Sequence, residues 1–364
     1  MRMRIGIPKG LLFPDFGGLF ESFFLELGQD IAVSPDTNRR ILDLGVGCCV
    51  DEACLPVKVF HGHVCWLRDN GDCDMIVIPR FMHLRENESI CPKFCGLPEM
   101  VKYSVPGLPP IIGVPIDWSS AQGLRAWARA VASYLGCAKS DAYSALHAAV
   151  SKHNEVAQGY AVLSEQNRQS SRRDGLDGQS RATELAAPSR LSELTGSCKP
   201  ENLTVSSNRE FRIALLGHPY NVQDAFLNMN VAQKLARLGA AIVTDASVSE
   251  TDVNREVASL FKKPFWTLAR YSYGAAKHLY RTDAVDGIVY VSSFACGIDS
   301  VVVELIRDAT DGLPLLVLKV DEHTGEAGID TRLEAFTDLL RRRKTFGSNI
   351  PAYGKYISRG ESAI

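Results

Sequence analysis

Apolar residues along this chain follow two rhythms. Short unbroken runs, RIGIP at 4–8, IAVS at 31–34, MIVIP at 75–79 and IIGVP at 111–115, read as buried strands of a parallel sheet. Between the first two, Phe16, Leu19, Phe20, Phe23, Phe24 and Leu27 recur at three- and four-residue spacing, which predicts a helix over 15–28 stopped by Gly28. Ser34-Pro-Asp-Thr supplies capping residues for the next helix, and further helices are expected over 55–68, 120–136 and 140–166. From 167 to 208 the rhythm stops. Ser, Arg and Gly dominate there, and too few large apolar residues remain to offset the entropy of ordering, so this stretch reads as a disordered linker or insertion.

Alternation then resumes. RIALLG (212–217), AAIVTD (240–245), IVYVS (288–292) and LPLLVLKV (313–320) read as strands. Helical spacing falls near 222–238, 251–260, 266–280, 298–309 and 329–342. The expected fold class is α/β, with two Rossmann-like lobes whose mostly parallel sheets face each other across a crevice. The expected boundaries are an N-terminal lobe at 1–166, the linker at 167–208, a C-terminal lobe at 209–342 and a loosely structured tail at 343–364.

Composition narrows the classes. The chain has 364 residues, enough for two domains, with 46% hydrophobic and 23% charged residues, an ordinary globular balance. A net charge of −2 offers no basic surplus, so neither nucleic acid nor an anionic membrane is an expected partner. MRMRIGIPKG lacks the apolar core of a signal peptide, and no apolar run reaches the roughly 18–20 residues of a spanning helix, so a cytoplasmic location is expected. In that reducing compartment the 10 cysteines read as buried hydrophobes and metal ligands rather than five disulfides. Cys65 and Cys137 read as core residues, and Cys73 and Cys198 as idle thiols.

Three cysteines stand where an apolar run gives way to a loop or helix start. Cys54 precedes the 55–68 helix, whose free N–H groups and positive end favour a thiolate; a buried cysteine in a turn is the plainer reading. Cys91 forms a Cys-x3-Cys pair with Cys95, a spacing compatible with a metal but not that of a zinc ribbon. Cys296 lies in a strand–loop–helix switch, where Gly297 allows close backbone approach to a bound group. Polar residues gather at equivalent strand ends: His218, Tyr220 and Asn221 after 212–217, and Asp321, Glu322 and His323 after 313–320. Neither a P-loop nor a Gly-x-Gly-x-x-Gly fingerprint is present, so ATP and nicotinamide cofactors are unsupported.

IGIPKGLLF, SPDTN, VDEACLPVKVFHGHV, ICPKFCGLPEM, GHPYN and DEHTGEAGIDTRLEAF, in that order, resemble the acyl-CoA dehydratase activase-related protein family. That family is similar to the B/D-type subunits of 2-hydroxyacyl-CoA dehydratases and to double-cubane cluster reductases. The resemblance covers roughly 1–165 and 209–342. It implies a 4Fe-4S cluster, or a larger double-cubane one, held between the lobes by Cys54, Cys91 and Cys296, with Cys49, Cys95 or an exogenous group as fourth ligand. It also implies a separate ATP-dependent activase, carrying its own iron–sulfur cluster, as the source of low-potential electrons, and a homodimer or heterodimer as the assembly. Within this picture Lys58 and Lys93 offset cluster charge beside Gly297, and His218, Asn221 and His323 shape or protonate what binds. The alternatives are a 2-hydroxyacyl-CoA dehydratase subunit, a non-catalytic cluster-bearing accessory protein, and a zinc site or no metal.

Overall fold

The computed structural model describes residues 2–155, 210–262 and 264–346. The 167–208 segment and all of the tail beyond 346 lie outside these residues. The fold is α/β, built on two four-stranded parallel sheets and one small pair.

The first sheet has the order β2-β1-β3-β5, from β1 (Arg4–Ile7), β2 (Asp30–Val33), β3 (Met75–Val77) and β5 (Ile111–Ile112). The expected 111–115 strand is in fact two. After β5 the chain leaves this sheet, and Pro115–Asp117 (β6) pairs with Arg80–His83 (β4) as the small parallel sheet. The sequence reading assigned no element to 80–90 and so missed β4.

Helix α1 (Phe13–Glu26) buries Phe16, Phe20, Phe23 and Phe24, with the Phe16 ring tilted against Phe81 and Phe23 against Trp127 of α6 (Ala121–Leu135). A further helix, α7, covers 139–155 of the described residues. Helices α2 (Arg39–Cys48) and α3 (Leu55–Asn70) pack closely because glycines meet backbone: a Cβ on Gly45 would strike the Lys58 carbonyl, and one on Gly62 the Ile41 carbonyl. The cap of α2 is Asn38, whose side chain accepts the Ile41 N–H at 3.1 Å, rather than the expected Ser34-Pro-Asp-Thr. Ser34 is drawn instead to the Lys9 N–H and the His63 ring. Two short helices, α4 (Pro92–Cys95) and α5 (Leu97–Ser104), occupy what read as loop.

The second sheet has the order β10-β9-β7-β8, from β7 (Phe211–Gly217), β8 (Ala240–Thr244), β9 (Gly287–Ser293) and β10 (Leu315–Val320). The expected helix over 222–238 is broken into α8 (Pro219–Val222) and α9 (Val231–Arg237). Asp224 accepts the N–H groups of Phe226 and Leu227, Asn228 donates to the carbonyls of Asn221 and Val222, and Met229 and Asn230 take positive φ. These local bonds outcompete continuous helix. Helices α10 (Glu250–Ala258), α11 (Thr267–Arg281) and α12 (Gly297–Ala309) follow. The last, α13, runs Glu326–Phe346, so ordered helix extends past the 342 boundary into the expected tail.

In each sheet the chain steps to one side of the first strand and then to the other. Loops diverge at such a point and leave a crevice at the strand C-termini. In the second sheet this point lies between β7 and β9, which are paired through Gly217 and Val291. Gly217, at φ 146°, passes so close to the Val291 carbonyl that a Cβ would collide with it. One apolar cluster crosses between the sequence halves: Ile41, Leu42, Leu55 and Val59 pack with Ile213, Val291 and Leu318. Among the described residues no helix is long and apolar enough to cross a membrane.

Candidate metal or cluster centre

Cys54, Cys91 and Cys296 each occupy the residue immediately before a helix: α3, α4 and α12. None of the three side chains caps its helix, so each sulfur is free to face outward from a helix start. Local sequence explains this. Pro56 and Pro92 lie in the first turns that follow, where a missing N–H costs nothing. Ala295 takes φ 61° before Cys296, a tight left-handed turn out of β9.

The three thiols come from segments far apart in sequence, yet all act electrostatically on the one buried Tyr220 hydroxyl. Burial first, then Cys296, Cys54, Asp299 and Cys91, push it well above the usual tyrosine range. All three are half-buried. Cys54 and Cys91 pack against the first core, Cys296 against the core of the second sheet, and Cys91 against both. Burial, reinforced by Asp299 and by the other two thiols, pushes Cys296 up to about 12. Burial also raises Cys91, partly opposed by the Lys93 backbone N–H.

Beside Cys296 lies a buried polar set supplied by β7, β9 and the loops that follow them. The Tyr220 hydroxyl meets His218 Nδ1 at 2.7 Å, and the Tyr290 hydroxyl donates to Asp299 Oδ1 at 2.7 Å. His218 Nε2 stands 3.4 Å from Asp299 Oδ1. Ser293 donates to Asn221 Oδ1 at 2.7 Å. His218 Nε2, Asn221 Nδ2 and Asp299 Oδ2 are buried without a hydrogen-bond partner. Orphaned buried polar atoms are costly, and three together mark a place that accepts a ligand or ion. Ligand atoms of His218, Cys296 and Asp299 lie within 4.8 Å of one another. A Cβ on Gly297 would meet open space, so room remains at this helix start.

The other expected residues are more dispersed. Lys58 is 3% exposed, and its ammonium lies 2.5 Å from Glu322 of the loop after β10. It therefore joins the two sequence halves as well as standing near Cys49, whose thiol it and Lys93 draw down while burial holds it up at about 11. Cys95 turns away and donates to the Phe81 carbonyl at 3.4 Å. His323 is 86% exposed, with Nε2 3.9 Å from Glu322, and does not join the buried set. Tyr220, Tyr290, Ser293, Asp299 and Glu322 complete the arrangement; the sequence reading noted Tyr220 and Glu322 as polar residues at strand ends but gave none of the five a role in the site. The motifs GHPYN and ACGIDS carry the signal for Tyr220 and Asp299; nothing local marks Tyr290 within its apolar strand.

Comparison with known proteins gives a family. The model of the CoA enzyme activase uncharacterised domain matches residues 4–248. No curated protein matches the sequence at a significant level. Among solved structures, the glycosyltransferase SnogD from Streptomyces nogalater aligns over 97% of each chain with a TM-score of 0.21 and 13% identity. At that score the likeness carries no argument about fold or activity.

Proposed function

We propose, for a chain that belongs to the family of the CoA enzyme activase uncharacterised domain, that Cys54, Cys91 and Cys296 hold an iron–sulfur cluster of the 4Fe-4S type. In this reading the protein accepts low-potential electrons from a separate ATP-dependent activase and passes them to a small substrate or partner. What supports it is the placing of three thiols at helix starts that none of them caps, each close enough to act electrostatically on Tyr220. Cysteine thiolates are the usual ligands of such clusters, and helix starts with free N–H groups stabilise their negative charge.

When bound, the group supplies reversible one-electron chemistry, its potential set by burial and by hydrogen bonds to sulfur. The chain's own residues do the rest. Helix starts at Cys54, Cys91 and Cys296 present their N–H groups to the thiolates, and Lys93 adds positive charge near Cys91 and Cys49. His218, held at Nδ1 by Tyr220, presents Nε2 as the atom that can give or take a proton beside Cys296. Asn221, fixed through its oxygen by Ser293, presents its amide as a donor. His323 lies at the surface, which leaves proton handling to His218.

One observation favours a second reading, a mononuclear metal such as zinc on His218, Cys296 and Asp299. Tyr220 and Tyr290 would then orient two of the ligands from behind, as outer hydrogen-bond partners do in metal sites. Anaerobic purification with iron, sulfide and zinc analysis separates the two. The cluster reading expects a coloured protein with matched iron and acid-labile sulfide, and a paramagnetic signal after reduction. A colourless protein carrying zinc, or no metal after reconstitution with iron and sulfide, would overturn it. Turnover of a 2-hydroxyacyl-CoA with an activase present would assign the dehydratase-subunit role. A cluster that no substrate oxidises would assign the accessory role.

A further inference from the structure

Where α2 packs on α3, the Cys48 and Cys65 sulfurs lie 3.2 Å apart. Cys48 closes the last turn of α2 and Cys65 stands in the third turn of α3. The close approach of Gly45 and Gly62 to the opposing backbone brings the helices near enough for these side chains to touch. Both cysteines line an open cleft of about 730 Å³, whose other walls are Arg39, Arg40, Asp43, Arg68 and Pro106 among others. Arg39 pairs with Asp43 and Arg68 with Asp69, so the cleft keeps a surplus of one positive charge, that of Arg40. Cys65 is a core residue, but its sulfur touches a partner that the cleft leaves partly exposed.

We propose that Cys48 and Cys65 form a redox dithiol, closed to an intramolecular disulfide by exchange with a small, carboxylate-bearing disulfide that enters this cleft. Cys48, the partly exposed member of the pair, is the attacking sulfur, and Cys65, 2% exposed behind it, is the resolving one. The Cys48 thiol loses its proton and attacks one sulfur of the incoming disulfide, forming a mixed disulfide and expelling one thiolate. The Cys65 thiol then loses its proton and attacks the Cys48 sulfur, forming the Cys48–Cys65 bond and expelling the second thiolate. Two electrons and two protons pass from the protein to the small disulfide, which leaves as two thiols. The order of attack follows from access: Cys48 ends α2 on the cleft wall and is partly exposed, whereas Cys65 lies behind it in the core. The surplus charge favours an anionic over a neutral disulfide. Closure would tether the end of α2 to α3 at the start of the 49–53 segment that leads to Cys54.

The test uses the full chain, incubated anaerobically with oxidised glutathione, alkylated and mapped by peptide mass. Cys48 and Cys65 are expected to lose alkylation together and to appear as a linked pair of peptides. Cys65→Ser should abolish the link and leave glutathione trapped on Cys48. Cys48→Ser should leave Cys65 unmodified, and Cys49→Ser should leave the link intact, which matters because Cys48, Cys49 and Cys54 share one tryptic peptide. Circular dichroism on each variant shows whether it folds. Two free, alkylatable thiols after incubation, or a link that survives Cys48→Ser, would overturn the proposal. A neutral disulfide reacting as fast as glutathione disulfide at low salt would overturn the role of the arginine rim. None of these readouts depends on iron.

Discussion

At the scale of single residues, environment rather than identity sets chemistry. His63 and His323 are the same residue type, yet one is buried and the other 86% exposed. Burial holds the His63 ring down at about 3, and its nitrogens meet Ser34 at 2.9 Å and Thr37 at 3.2 Å. The sign of the consequence follows. The unfolded ring takes a proton near pH 6.5, whereas the folded ring stays neutral to about 3. Stability from His63 is therefore full above about 6.5 and lost as pH falls toward 3, by up to about 1.4 kcal/mol per pH unit. Denaturant midpoints measured from pH 7 to 4 should show this slope, and His63→Gln should flatten it. Cys296 and Cys137 make a similar contrast. Cys296→Ala should lose most of the bound iron and sulfide, and Cys137→Ala should keep them; equal iron in both would remove Cys296 from the ligand set. The sequence singles out Cys296 through its glycine and strand–helix switch, but the pairing of Tyr290 with Asp299 emerges only from packing.

Secondary elements make the centre by where they begin. Helix starts carry unsatisfied N–H groups, and Cys54, Cys91 and Cys296 sit at three of them. The positions of α2 and α3 depend on glycine at the contact. Gly45→Ala or Gly62→Ala would push a methyl into a facing carbonyl and should cost about 1–3 kcal/mol in denaturant unfolding. Gly47 lies on the same helix as Gly45 with open space at its Cβ, so Gly47→Ala should be neutral or stabilise by roughly 0.5–1 kcal/mol. A similar loss for both α2 variants would show that helix propensity, not the interhelical contact, governs this pair. Periodicity finds the long helices within a few residues. It fails over 222–238, where Asp224, Asn228 and two positive-φ residues turn the chain.

On the scale of the whole molecule, ionic and hydrogen-bonded ties between the sequence halves hold the Cys91 segment against the second sheet. Ser89 bonds the backbone of Phe265 and Thr267 at 2.9 and 3.0 Å, directly before Cys91 in the chain. Arg270, 3% exposed, bonds Glu88 and Glu250 at 2.7 Å each, and Arg85 reaches Glu250 at 2.8 Å. Lys58 likewise meets Glu322, and Thr37 donates to Asp224 at 2.5 Å. Removing one partner of such a buried group leaves the other desolvated. Arg270→Ala should therefore lower stability by about 3 kcal/mol and reduce iron retention in parallel. Unchanged iron content in a folded Arg270→Ala protein would show that Cys91 is positioned without this network.

By itself the sequence determined the α/β class, the long helices and most strands, because apolar periodicity reflects which face of an element is buried, and burial dominates folding. It also marked Cys54, Cys91 and Cys296, since the glycines, prolines and capping positions around them are local properties. Tertiary structure decided which side chains share a space. Tyr220 near the three thiols, Tyr290 behind Asp299, Lys58 against Glu322 and Cys48 beside Cys65 join residues brought together only by strand order and helix packing. A neighbour distant in the chain leaves no trace in the pattern on either side of it, so these pairings become visible only once the sheets are assembled.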